Sequence, residues 1–158
     1  MKIIKPKDIE APFRVGLVVS RFNEQITQRL YEGALIRLNE LKITSDLITV
    51  AWVPGAVEIP IAAQTMIDTG AFNVIIAFGA VIKGETDHYE YVCQSVSTGC
   101  QQVALENGVP VIFGVLTTKT ELQALDRVGG SKGHMGRECV DTAFETLSVL
   151  RQIDELVF

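Results

Sequence analysis

VIIAFGAVIKGETDHYEYVC, residues 74–93, opens with an unbroken apolar run from Val74 to Ile82. It then breaks at Lys83-Gly84 and crowds acids, a histidine and two tyrosines into a short polar stretch. A β-branched run of this kind, with no polar alternation, is what a strand buried on both faces requires. The polar stretch leads into a segment, Asp87 to Glu106, expected to be helical. This strand, turn and helix decide the reading of the rest.

Working towards the N-terminus, Ile59 to Ile67 reads as a helix ended by Gly70, and Leu47 to Val53 as a strand. Before them, Ile26, Leu30, Ala34, Leu38 and Leu41 recur every three or four residues, lining one face of a helix with Asn23 as a plausible N-cap. Arg14 to Ser20 is the first core strand. Towards the C-terminus, Val109 to Leu116 is a further strand, and Thr118-Lys-Thr-Glu121 has capping-box spacing for a short helix. Gly129-Gly130 breaks the chain, and Val140, Ala143, Phe144, Leu147 and Leu150 give a final amphipathic helix. Strand and helix alternating in units of about 30 residues imply parallel crossovers, hence an open α/β sheet with helices on both faces. Residues 1–158 are read as one domain, with a polar, proline-punctuated arm over 1–13.

The balance of the chain narrows its class. Its 158 residues are 47% hydrophobic and 21% charged, with 14 basic and 19 acidic side chains and a net charge of -5. No Lys/Arg block occurs, so nucleic acid is not an expected partner. The mean hydropathy of +0.27 hints at more buried or interface surface than a monomer needs. Met1 to Pro6 has no signal-peptide core, and no apolar run approaches the ~20 residues of a spanning helix, so a cytoplasmic protein without membrane contact is expected. Cys93, Cys100 and Cys139 lack CxxC spacing and read as buried, reduced thiols rather than metal ligands.

In open α/β sheets ligands bind beyond the carboxyl ends of the strands. That selects Ser20 to Asn23, Val53 to Glu58, Gly79 to His88, and Gly114 to Thr118. Gly84 to His88 precedes a helix, so its N–H groups suit a phosphate or another anion; an ordinary helix start is the alternative. His88 has the side chain suited to moving protons near neutral pH, against the alternative of a surface histidine. Phe22 could stack on a planar heterocycle or simply pack. Glu58 and Arg127, each taken alone, could be no more than solvated charges near helix ends. There is neither GxxxxGK[ST] nor GxGxxG after the first strand, which counts against nucleoside-triphosphate and dinucleotide roles.

Phe22, VPGAVEIP (53–60), FGAVIKGETDHYEYV (78–92), FGVLTT (113–118) and DRVGG (126–130), in this order, resemble the lumazine synthase family. The resemblance covers nearly everything after the arm. It implies a flavodoxin-like three-layer α/β/α sandwich with four parallel strands, the N-terminal arm adding a strand to a neighbouring subunit. It further implies condensation of 5-amino-6-(D-ribitylamino)uracil with 3,4-dihydroxy-2-butanone 4-phosphate, and neither a metal nor an organic cofactor. Carried over residue by residue, Phe22 would stack on the pyrimidine, while Ala56, Val57, Glu58, Ala80, Val81 and Ile82 would hold the ring and ribityl chain. Glu85 and Thr86 would receive the phosphate, and His88 would be the general acid and base. Phe113 and Arg127 would come from the adjacent subunit of a homopentamer, Arg127 as a cation on the phosphate. In some members of the family pentamers build an icosahedral capsid and associate with riboflavin synthase, so the resemblance leaves pentamer, decamer and capsid open.

The chain departs from the family pattern in places. Val57 stands where Phe is common, Lys83 where Arg is frequent, and Ser131 where a lysine is usual, with Lys132 one place later. Two other readings compete: a cage or flavin-binding protein of the same fold without turnover, and an archaeal-type riboflavin synthase, which needs no phosphate site.

Overall fold

The computed structural model describes residues 1–8 and 12–156. Strands β1 (Val15–Ser20), β2 (Ile48–Val53), β3 (Val74–Ile82) and β4 (Val111–Thr118) form one parallel sheet in the order β2-β1-β3-β4. Helices α1 (Glu24–Glu40), α2 (Ile59–Asp68) and α3 (His88–Asn107) connect them. After β4 come a short α4 (Glu121–Leu125), a hairpin of β5 (Val128–Gly130) with β6 (Gly133–His134), and α5 (Met135–Asp154). The sandwich is the flavodoxin-like α/β arrangement expected from the sequence. No described helix is long and apolar enough to cross a membrane.

Period-two geometry explains the three layers, because alternate side chains of a strand leave opposite faces. Val15, Leu17 and Val19 of β1 and Val74, Ile76, Phe78 and Ala80 of β3 pack with Leu30 and Leu38 of α1 and Val140 and Leu147 of α5. Val18, Ile75, Ala77 and Val81 point the other way, onto Ile59 and Ala63 of α2 and Val96 and Cys100 of α3. Each wholly buried Leu, Ile or Phe here contributes about 1.5–3 kcal/mol. The close approach of α1 to α5 depends on Gly136, where a Cβ would collide with the Leu30 carbonyl.

Local details differ from the sequence reading, each for a definable reason. Asn23 occupies the N-cap position but caps nothing; its backbone is left-handed at φ 58°, a conformation asparagine tolerates. Its side-chain amide instead donates to the Ala80 carbonyl at 2.8 Å, tying the β1–α1 turn to the end of β3. β4 starts two residues later than expected because Pro110 has no N–H to give, although its carbonyl accepts from Ile75 at 2.9 Å. At the other end of the strand Thr118 is still in the ladder, opposite Ile82, and cannot cap α4. Thr120 does so: its hydroxyl accepts from the Gln123 N–H at 3.2 Å, and the Gln123 side chain accepts from the Thr120 N–H at 3.3 Å. Gly129-Gly130 is a strand of the β5–β6 hairpin rather than a simple break.

Of the arm, residues 9–11 lie outside the described residues. The Lys7 N–H donates to Ser148 Oγ at 3.0 Å and the Gln152 amide donates to the Lys5 carbonyl at 2.9 Å, so the arm runs beside α5. Phe13, grouped with the arm on sequence, belongs to the core, edge-on to Phe144 and beneath the Arg151 guanidinium.

The cysteines are free thiols. Burial pushes Cys100 up to about 11, and burial assisted by the Glu138 charge pushes Cys139 up to about 12. The unfolded chain therefore releases these protons first as pH rises through the ordinary thiol value of 9.0, while the native state keeps them. Stability is full below pH 9.0 and declines through about 11 and 12; the loss by pH 10 is about 2–3 kcal/mol. Urea midpoints at pH 8 and 10, at fixed protein concentration, should separate accordingly, and Cys100→Ala with Cys139→Ala should flatten the difference. Equal midpoints for the parent protein would refute this account.

Candidate active site

The chain runs from β1 outward to β2, then returns to β3 on the opposite side of β1. The loop after β1 leads to α1 on one face and the loop after β3 leads to α3 on the other, so a crevice opens between them. A cleft of about 490 Å³ occupies this place. It is bordered by Phe22, by Pro54 to Glu58, by Ala80 to Ile82, and by Gly84, Thr86, His88, Tyr89 and Val92.

Backbone hydrogen bonds hold these pieces. The Arg21 N–H donates to the Val53 carbonyl at 2.8 Å and the Phe22 N–H to the Pro54 carbonyl at 3.1 Å, extending the β1–β2 pairing beyond the strand ends. Phe22 is left 72% exposed at the mouth, a flat apolar face on which no ring of the described residues stacks. Gly55 matters next to Glu58: a Cβ there would lie 3.0 Å from the Glu58 Oε2, which folds back over the turn. Ala80 and Val81 are buried and present strand backbone to the cleft. From Ile82 the chain turns, with the Lys83 N–H donating to the Thr118 carbonyl at 2.9 Å.

His88 is the first residue of α3, and its N–H approaches Thr86 Oγ1 at 3.4 Å. Within the described residues no hydrogen bond uses the N–H groups of Gly84, Glu85 or Thr86. Lys83 bridges to Glu90 at 3.2 Å; the Glu90 carboxyl is held below its ordinary range by its own backbone N–H and by Lys83. Tyr89 is half-buried, and desolvation, reinforced by Cys93, raises its phenol so that it stays protonated.

The structure thus gathers Phe22, Ala56, Val57, Glu58, Ala80, Val81, Ile82, Thr86 and His88 on one cleft. Glu85 is adjacent but exposed and outside the lining. Phe113 and Arg127 do not line it. Phe113 is 40% exposed on β4, the last strand of the sheet. Arg127 lines a separate cleft beyond Tyr89, its guanidinium donating to the Gln123 carbonyl at 2.9 Å. Tyr89 and Val92 were missed as lining residues; the signal is helical spacing, Val92 lying at i+4 from His88 and at i+3 from Tyr89 on α3. Among the described residues no group of three or more His, Cys, Asp or Glu is arranged to hold a metal ion.

Comparison with known proteins bears on this cleft. Residues 12–151 match the family model described as 6,7-dimethyl-8-ribityllumazine synthase. Among curated relatives, the 6,7-dimethyl-8-ribityllumazine synthase of Coxiella burnetii strain Dugway 5J108-111 is 49% identical over 145 residues, 92% of this chain and 96% of the relative. Proteins of the same name from C. burnetii strains CbuG_Q212 and RSA 493 / Nine Mile phase I are each 48% identical over the same coverage.

Proposed function

The chain belongs to the 6,7-dimethyl-8-ribityllumazine synthase family, and from that premise we propose how its residues divide the reaction. The enzyme is a transferase that condenses 5-amino-6-(D-ribitylamino)uracil with 3,4-dihydroxy-2-butanone 4-phosphate. The product is 6,7-dimethyl-8-ribityllumazine, with phosphate and water released, in the penultimate step of riboflavin biosynthesis.

Phe22 stacks on the pyrimidine. The backbone of Ala56, Val57, Ala80, Val81 and Ile82, together with the Glu58 carboxylate, holds the ring and ribityl chain. The free N–H groups at Glu85 and Thr86 take phosphate oxygens. His88 carries protons while the amine adds to the ketone and water is lost to give the imine, phosphate leaves, and the ring closes with loss of a second water. Holding both substrates in one cleft supplies much of the acceleration by proximity.

One observation carries the division between subunits: the cleft is lined by an acid, an imidazole and aromatic rings, but by no lysine or arginine. A substrate phosphate needs a cation there, and Arg127 faces a different cleft of its own chain. Arg127 and Phe113 therefore complete the site of an adjacent subunit in a homo-oligomer built from pentamers. In that assembly the arm extends a neighbour's sheet, and the site works in the cytoplasm on diffusible substrates. Particle sizing separates pentamer, decamer and icosahedral capsid, and co-purification tests association with riboflavin synthase.

Phe22→Ala should raise KM for the ribitylaminouracil about tenfold, as expected for one lost base–aromatic stack. KM for the phosphorylated ketone should stay constant. Following product absorbance gives both values; an unchanged pyrimidine KM would remove Phe22 from the site.

A further inference from the structure

A second cleft, of about 410 Å³, opens on the far side of Tyr89 between the end of β4 and α4. Lys119 and Arg127 both line it, and none of its lining residues carries a carboxylate. We propose that Lys119 is a second cation for the phosphorylated ketone, acting beside Arg127, with Gln123 positioning both. The inference rests on the reading of Arg127 as the phosphate cation and deepens it.

Gln123 makes three contacts that bear on this arrangement. Its side-chain oxygen accepts the backbone N–H of Lys119 at 2.9 Å and of Thr120 at 3.3 Å, and its carbonyl accepts the Arg127 guanidinium at 2.9 Å. One residue thus fastens both the segment that bears Lys119 and the head group of Arg127. Of the acids next to them in sequence, the Glu121 carboxylate accepts from Gln25 of α1 at 3.5 Å, and neither Glu121 nor Asp126 lines the cleft or enters an ion pair among the described residues. Among the described residues neither Lys119 nor Arg127 enters an ion pair.

Two cations that share a cleft without a counter-charge repel one another, and an anion bound between them removes that cost. A phosphate monoester near neutral pH carries close to two charges, so a single arginine leaves it undercompensated. The planar guanidinium can grip two oxygens, while the ammonium group supplies a movable point charge for the third. Because Arg127 serves the neighbouring subunit's cleft, Lys119 reaches the same phosphate across the same interface.

The test is steady-state kinetics of the assembled enzyme with Lys119→Ala, Lys119→Arg and Arg127→Ala, plus competitive inhibition by inorganic phosphate. Lys119→Ala should raise KM for the phosphorylated ketone and the inhibition constant of phosphate about tenfold each, as expected for one lost charged contact. KM for the ribitylaminouracil should not move, and Lys119→Arg should restore most of the loss. If Arg127→Ala raises the ketone KM and Lys119→Ala does not, the inference is wrong and the Arg127 reading stands. If neither changes it, the phosphate assignment of Arg127 fails and this inference falls with it.

Discussion

His88→Ala is expected to lower kcat by roughly 10²-fold or more while leaving both KM values within a few-fold of the parent. Each step of the condensation moves protons: the amine loses them and the ketone oxygen leaves as water as the imine forms, the carbon skeleton loses one as phosphate departs, and a second water leaves at ring closure. Among the described residues His88 is the only imidazole on the cleft. Tyr89, the other titratable neighbour on α3, is held protonated by desolvation and by Cys93, so it can donate a hydrogen bond but is a poor base. The second histidine cannot deputise. His134 stands where β6 meets α5, against Gly33 of α1, and its proton affinity is lowered by burial and by Arg137. A kcat unchanged in His88→Ala would take acid–base catalysis away from this residue.

The second large effect is expected from mixing defective subunits. His88→Ala assemblies should be nearly inactive, and Arg127→Ala assemblies should turn over poorly at low concentrations of the phosphorylated ketone. Where a ring places one residue of each site on either side of a head-to-tail interface, random co-assembly of equal amounts regenerates about a quarter of the sites: half the subunits retain His88, and half of their neighbours retain Arg127. Activity at low ketone concentration should then recover to about a quarter of the parent's. Were both residues contributed by one chain, every site in the mixture would carry a defect and nothing would be regained. The absence of any lysine or arginine from the His88 cleft is the reason to expect recovery.

Much of the site could be read before the fold was known, because strand ends were identifiable and ligands of open parallel sheets gather there. Phe22, Glu58 and His88 each follow a strand whose apolar run has a clear end, and all three border the same cleft. Reading failed where a hydrogen bond chose between equivalent residues. Thr118 and Thr120 are chemically the same cap, but the β4 ladder holds Thr118 opposite Ile82 and leaves the role to Thr120. Asn23 has the residue type of a cap, yet its left-handed backbone goes with no side-chain cap, and its amide donates to the Ala80 carbonyl. Tyr89 packs against the core and also walls two clefts, a double role that no sequence pattern marks.

The sequence by itself determined the elements and their layers. Periodicity reports burial, and a strand such as Val74–Ile82, apolar at successive positions, has to be covered on both faces by whatever helices flank it. Only the tertiary structure decided that β3 returns beside β1 rather than beside β2, which sets the cleft between Phe22 and His88. It alone also put Lys119, Gln123 and Arg127 together on the other side of Tyr89. Strand order and side-chain convergence are long-range properties, fixed by how two helical layers close over one sheet, and no local pattern encodes them.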